Sequence, residues 1–289
     1  MKKLFLICFA LCILAMGCEK EGVYNPDKKI KRVFIQVENG EKYLSQEWTW
    51  EKNLLKKIQY NSPYHSSWEE YYSYEKNKLV KVEKSIGYYW EITYKGDTYD
   101  KVEYFDKQGM ILISAKFTYE KKKVSRVDFS MFYYEEYLIY KMSDGGFMSN
   151  IFSKDLLIDI EKNASKSKSK PDAFTCKITF TYDKDNIKER VIEYSEEDYT
   201  MKTSHKFEKY DNKYNPLYRF YSQFVGTDFV FSKNNPLIIN IEFSETEDNY
   251  SDFERYTITY DYTYNDKFPT VVKYFEDGYP IDTTFYEYE

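Results

Sequence analysis

Tyr256-Thr257-Ile258-Thr259-Tyr260-Asp261-Tyr262-Thr263-Tyr264 repeats with a period of two. Its even positions are Tyr or Ile, and its odd positions are Thr or Asp. Successive side chains of a strand point to opposite faces, so this spacing predicts a strand with one buried and one wet face. Asn265-Asp266-Lys267-Phe268-Pro269 turns the chain, and Thr270 to Phe275 returns it.

The same unit recurs upstream. Tyr72-Ser73-Tyr74 precedes Leu79 to Val82, and Trp90 to Tyr94 precedes Tyr99 to Phe105. Lys116 to Tyr119 precedes Val124 to Phe129, and Ile178 to Tyr182 precedes Ile187 to Tyr194. Spacing between the copies is irregular, which suits a loose hairpin array and not a strict solenoid. The expectation is an all-β chain: one large, strongly curved or closed antiparallel sheet, barrel-like, of about 18 strands joined by hairpins over residues 30–289.

Turn signals punctuate it. Asn39-Gly40 supplies the two left-handed positions of a type I′ hairpin turn. Asn215-Pro216 and Asn235-Pro236 each read as a turn that opens a strand, and Asp277-Gly278 turns the last hairpin. The acidic stretch Glu245 to Asp252 reads as a loop. Phe147 to Asn163 is ambiguous between strand and helix, while residues 164–171, rich in Ser and Lys, form a long loop or a domain boundary.

The 289 residues include 33 Tyr against 4 Trp, and 31% are charged. Each buried tyrosine hydroxyl requires a hydrogen-bond partner, so a Tyr-rich interior reaches for water, backbone or ligand. A net charge of −6 with both signs interspersed, and no basic block, argues against nucleic acid as a partner.

Lys2-Lys3 followed by apolar Leu4 to Leu14 reads as a secretory signal over residues 1–17. Leu14-Ala15-Met16-Gly17-Cys18 resembles the lipobox of bacterial lipoproteins. That resemblance implies diacylation of Cys18 and a membrane partner held through the lipid, with residues 18–29 as tether. Glu19-Lys20-Glu21 is similar to the export signals of Bacteroidetes surface lipoproteins, implying an outer-membrane location on the periplasmic or cell-surface side. Cys8 and Cys12 leave with the signal, so Cys176 stands alone in phase with Ile178, Phe180 and Tyr182, as a buried thiol.

The turn pair Asp211 to Pro216 and Ser232 to Pro236, with the closing Tyr262 to Pro269 hairpin, resembles a family of Bacteroidetes lipoproteins. That family is a domain of unknown function with a porin-like fold. It implies a curved or closed sheet and no known activity. The Tyr-x-Tyr-turn-Val copies are also loosely similar to YD repeats, without their strict spacing.

For chemistry, His65 and His205 fall in different segments, and no His/Cys cluster has zinc spacing, so no cofactor or metal is expected. Asp183 to Asn186 lacks the central Gly of a calcium loop and reads as a turn. The expected function is a non-enzymatic binding or scaffold lipoprotein for a glycan or protein partner. Trp48, Trp50 and Trp68 are its candidate ligand-binding residues. The alternatives are a glycoside hydrolase with an unrecognised carboxylate pair, or an assembly component pairing through a sheet edge.

Overall fold

The computed structural model describes residues 24–38, 40–63, 66–132, 174–196, 199–220, 231–247 and 250–289. The signal segment 1–17, Cys18, His65, the ambiguous stretch 147–163 and the loop 164–171 lie outside the described residues.

The strands are β1 (Ile30–Val37), β2 (Tyr43–Glu51), β3 (Leu54–Tyr60), β4 (Trp68–Glu75), β5 (Lys78–Lys84), β6 (Tyr89–Lys95), β7 (Thr98–Phe105) and β8 (Ile111–Glu120). They continue as β9 (Lys123–Met131), β10 (Phe174–Asp183), β11 (Asn186–Glu196), β12 (Tyr199–Tyr210), β13 (Pro236–Glu247), β14 (Tyr250–Asn265), β15 (Phe268–Glu276) and β16 (Tyr279–Tyr288). Each pairs antiparallel with its sequence neighbours, and β1 pairs with β16 to close a barrel. The described residues hold 16 strands and not about 18. Strands run longer than the turn signals suggested. The acidic stretch 245–252 is mostly ladder, with Glu245 opposite Asp252 and Thr246 opposite Ser251, so β14 reaches 16 residues.

The apolar phase of each strand faces inward. Sixteen strands are enough to enclose an aqueous lumen, yet Ile58, Ile113, Ala115 and Met131 are 0% exposed. Burying each of the larger ones, Ile58, Ile113 and Met131, contributes about 1.5–3 kcal/mol. Cys176 is buried on the same face, and burial pushes its thiol up, away from the reactive thiolate. The outer face carries ion pairs such as Lys57–Glu69 at 2.8 Å, Lys206–Glu242 at 2.8 Å and Arg126–Asp128 at 2.7 Å. A lipid-facing barrel needs an apolar outer band, so this wall is inverted relative to a membrane-spanning one.

At one end the hairpins share a device. The register slips by one residue at Thr49/Trp50, Ser73/Tyr74, Thr93/Tyr94, Thr118/Tyr119, Thr181/Tyr182 and Thr263/Tyr264, just before the tight turn. Such a bulge re-aims a side chain at a barrel rim. Trp50 and Tyr94, at two of these slips, reach the preceding hairpin, and Tyr210 and Tyr288, at the ends of β12 and β16, do the same. Trp50 Nε1 donates to Ile30 O at 2.8 Å, Tyr94 Oη to Leu79 O at 2.5 Å, Tyr210 Oη to Ile187 O at 2.8 Å and Tyr288 Oη to Pro269 O at 2.8 Å. Beneath these aromatics Ile30, Leu55, Leu79, Tyr99, Val124, Ile187 and Phe268, each the first or second residue of its strand, form a layer at most 4% exposed.

That end is capped. Residues 211–220 and 231–235, between β12 and β13, fold over it. Asn235 is buried, donates to Asp211 Oδ2 at 3.0 Å through its side chain and to Asp211 Oδ1 at 3.1 Å through its backbone. Asn215 Nδ2 donates to Ser232 O at 2.8 Å, and Tyr24 Oη to Pro216 O at 2.6 Å. Asn235-Pro236 does open β13, whereas Asn215-Pro216 bends within the cap. Gly40 does not have the left-handed φ of a type I′ turn. The connection is a wider loop, in which Gly40 N donates to Val37 O at 2.9 Å. Paired left-handed residues occur instead at Lys76-Asn77 and Lys121-Lys122.

Candidate functional site

The three candidate tryptophans fall at opposite ends of the barrel. Trp48 and Trp50 sit at the capped end, their rings stacked 6.1 Å apart. Tyr24 packs 5.7 Å from Trp50, and Phe220 packs 4.7 Å from Trp48. Trp48 is 5% exposed and its Nε1 donates to Gln46 Oε1 at 2.9 Å. Their polar handles are satisfied inside the wall, and their faces hold the cap.

Trp68 opens β4 at the opposite end and is half-buried. Its ring lies parallel to Tyr60, 3.9 Å away with 9° between the planes. Cross-strand pairing Tyr60↔Trp68 and Glu70↔Lys84 places all four on the inward face of β3, β4 and β5. Glu70 is buried, and its Oε2 accepts from Tyr72 Oη at 2.7 Å and Tyr60 Oη at 3.0 Å. Lys84 Nζ stands 4.7 Å from the Trp68 ring centre and 5.4 Å from Tyr104. Trp90 stacks on Tyr104 at 4.2 Å and extends the aromatic floor.

Desolvation dominates the electrostatics here. Burial raises the Glu70 carboxyl above its ordinary value, against Lys84 and the two tyrosine hydroxyls, which lower it. Burial likewise lowers the Lys84 ammonium, against the pull of Glu70. Burial thus disfavours charge on both groups, which stand opposite each other in the β4–β5 ladder, and hydrogen bonds gain strength in such low-dielectric surroundings. Stacked aromatic faces beside one acceptor and one donor suit a molecule with both apolar and hydroxylated faces.

Two further polar groups face inward. Asp282, raised by burial, pairs across strands with Tyr274, which in turn pairs with Tyr260. Burial, then Asp282, pushes Tyr286 up to about 12. On the other wall Arg190 Nη2 lies 3.0 Å from His205 Nδ1 and 3.1 Å from Nε2. Asp183 to Asn186 is the β10–β11 turn.

Glu70, Lys84, Arg190 and His205 were missed as site residues. Their signal is visible, however. Each is a polar residue in the apolar phase of its strand, as Glu70 is between Trp68 and Tyr72.

No protein-family model and no curated protein matches this chain. Among solved structures it is similar to a porin-like protein from Bacteroides uniformis, with a TM-score of 0.52 and 11% identity, over 94% of this chain and 100% of that one. A porin-like protein from Bacteroides vulgatus aligns over 91% of this chain and 99% of that one, at 9% identity and a TM-score of 0.45. The first likeness places the chain in the class of barrels adopted by porin-like proteins, as a matter of fold.

Proposed function

We propose that this protein is a non-enzymatic, outer-membrane-anchored lipoprotein, held through Cys18, that binds a glycan on the inward wall around Trp68. The carrying observation is the Tyr60–Trp68 stack with Glu70 and Lys84 beside it. A sugar ring offers C–H faces to aromatic rings and hydroxyls to a carboxylate or an ammonium, and this wall offers both. Supporting the anchor are the lipobox-like stretch ending at Cys18 and an outer face too charged to span lipid. Of the three tryptophans, Trp68 is the binding residue and Trp48 and Trp50 support the cap.

A glycan array probed with the chain begun at Glu19 tests the reading. Binding is expected, weakened at least tenfold by Trp68→Ala and by Glu70→Gln. Sugar released from a bound glycan, and abolished by Glu70→Gln, would instead make the protein a hydrolase with Glu70 as its acid. Failure of every glycan to bind would overturn the sugar assignment.

A further inference from the structure

The two ends of the barrel differ in charge. Connections at the capped end, residues 27–29, 51–53, 75–78, 95–97, 120–123, 183–185, 211–219, 231–235, 265–267 and 289, hold 14 Lys or Arg against 10 Asp or Glu. By sequence, the connections with their strand ends 38–42, 61–67, 84–88, 105–110, 195–199, 245–252 and 276–279 at the opposite end hold 3 against 12, and the long β9–β10 connection 132–173 adds 6 against 7.

The lysines of the capped end are also placed in defiance of local preference. Lys52, Lys76, Lys121, Lys122 and Lys184 have φ of 54°, 48°, 49°, 67° and 51°. That left-handed backbone favours Gly or Asn, and any other residue there is strained. Further lysines are propped by the aromatic ring of the neighbouring hairpin: Lys29 over Trp50 at 5.7 Å, Lys56 over Tyr74 at 5.6 Å and Lys78 over Tyr94 at 5.0 Å. Some pair with acids, as Lys78 does with Asp97 at 3.0 Å, but the excess remains positive.

The chain enters the barrel at this same end. Tyr24 lies under the cap, bonded to Pro216 O. Cys18 is six residues upstream, a reach of about 20 Å at full extension. On the reading that Cys18 is acylated, the capped end cannot stray far from the headgroups, while the acidic end points away.

We infer that the lysine-crowned, capped end of the barrel seats on anionic phospholipid headgroups, so that the lipid anchor fixes the protein upright with its Trp68 wall outward. Clustered lysines near an anionic surface attract it within about a Debye length, and the opposite end is repelled.

The test uses the unacylated chain begun at Glu19, since among the described residues the first strand begins at Ile30. Co-sedimentation is measured with phosphatidylcholine vesicles, alone or with one third phosphatidylglycerol, at low and physiological salt. Binding to the phosphatidylglycerol vesicles alone, weakening with salt, is expected. Replacing Lys52, Lys76, Lys121, Lys122 and Lys184 together by Asn suits the backbone and should cut that binding at least tenfold. Lys107→Asn at the opposite end should leave it unchanged. Equal binding to both vesicles, none to either, or equal loss in Lys107→Asn would overturn the inference, the second leaving an acidic protein as the crown's partner. Acylation is read separately, by palmitate labelling of the full chain against Cys18→Ser. Labelling without phosphatidylglycerol preference sinks only the seating, and preference without labelling sinks only the anchor.

Discussion

At the scale of single residues, the polar side chains on the inward wall make distinct predictions. His205 is lowered well below the ordinary imidazole value by burial first and by the Arg190 guanidinium second. Arg190 Nη2 is almost equidistant from both ring nitrogens, so it meets the imidazole as a whole and not as one N–H···N bond. The unfolded chain takes up a proton near pH 6.5 that the folded chain refuses. Stability therefore falls as pH drops below that point, by as much as about 1.4 kcal/mol per unit, and is indifferent to this group above it. Denaturant titrations from pH 7.5 to 5.5 should show this slope, and His205→Phe should remove its share. A slope unchanged by the substitution would contradict the burial. The tryptophans separate in the same spirit. Trp48→Ala should cost about 3–5 kcal/mol of stability, as large-to-small changes in a packed core do. Trp68→Ala should leave the melting temperature within a few degrees and remove ligand binding instead.

At the scale of elements, the hairpin with a bulge before its turn is the repeating part. Its aromatic ties one hairpin to the last, so Tyr94→Phe removes the bond to Leu79 O and should cost about 1 kcal/mol. Tyr210→Phe removes the equivalent bond to Ile187 O. The two lie in different hairpins, so their costs should add in a double variant; strong non-additivity by chemical denaturation would mean the hairpins are not equivalent. Asn235→Ala removes its side-chain bonds to Asp211 Oδ2 and Tyr214 O and keeps the backbone bond to Asp211 Oδ1, for an expected loss of about 2 kcal/mol. Much of this was legible beforehand. The Thr-Tyr-turn copies mark where strands bend, because alternation and turn chemistry are both local. Asn39-Gly40 misled, because the favoured turn dipeptide does not dictate the loop when Val37 and Lys42 are drawn to the barrel seam, Lys42 lying 4.0 Å over the Phe285 ring. The cap was not legible at all. Asp211 meets Asn235 at a separation of 24 residues and Asn215 meets Ser232 at 17, and no periodicity encodes either meeting.

At the scale of the whole molecule, alternation fixed which face turns inward, but strand number depended on how far each ladder runs. Acids in the β13–β14 ladder lengthened strands that composition alone would have ended. The site was half legible for the same reason. Trp68 could be nominated by type, while Glu70 became a partner only when register set it beside Tyr60 and Lys84. Closure is the step on which the inward wall, the cap and the charge asymmetry all rest. It is tested most directly by a disulfide across the seam. Gln36 on β1 faces Thr283 on β16, and Asp261 faces Lys273 within the β14–β15 hairpin. With both residues of a pair changed to Cys in the chain begun at Glu19, oxidation and mass analysis of peptides report the link. A closed barrel predicts intramolecular linkage of Gln36→Cys with Thr283→Cys to the same extent as Asp261→Cys with Lys273→Cys. Linkage of the hairpin pair alone would show an open sheet.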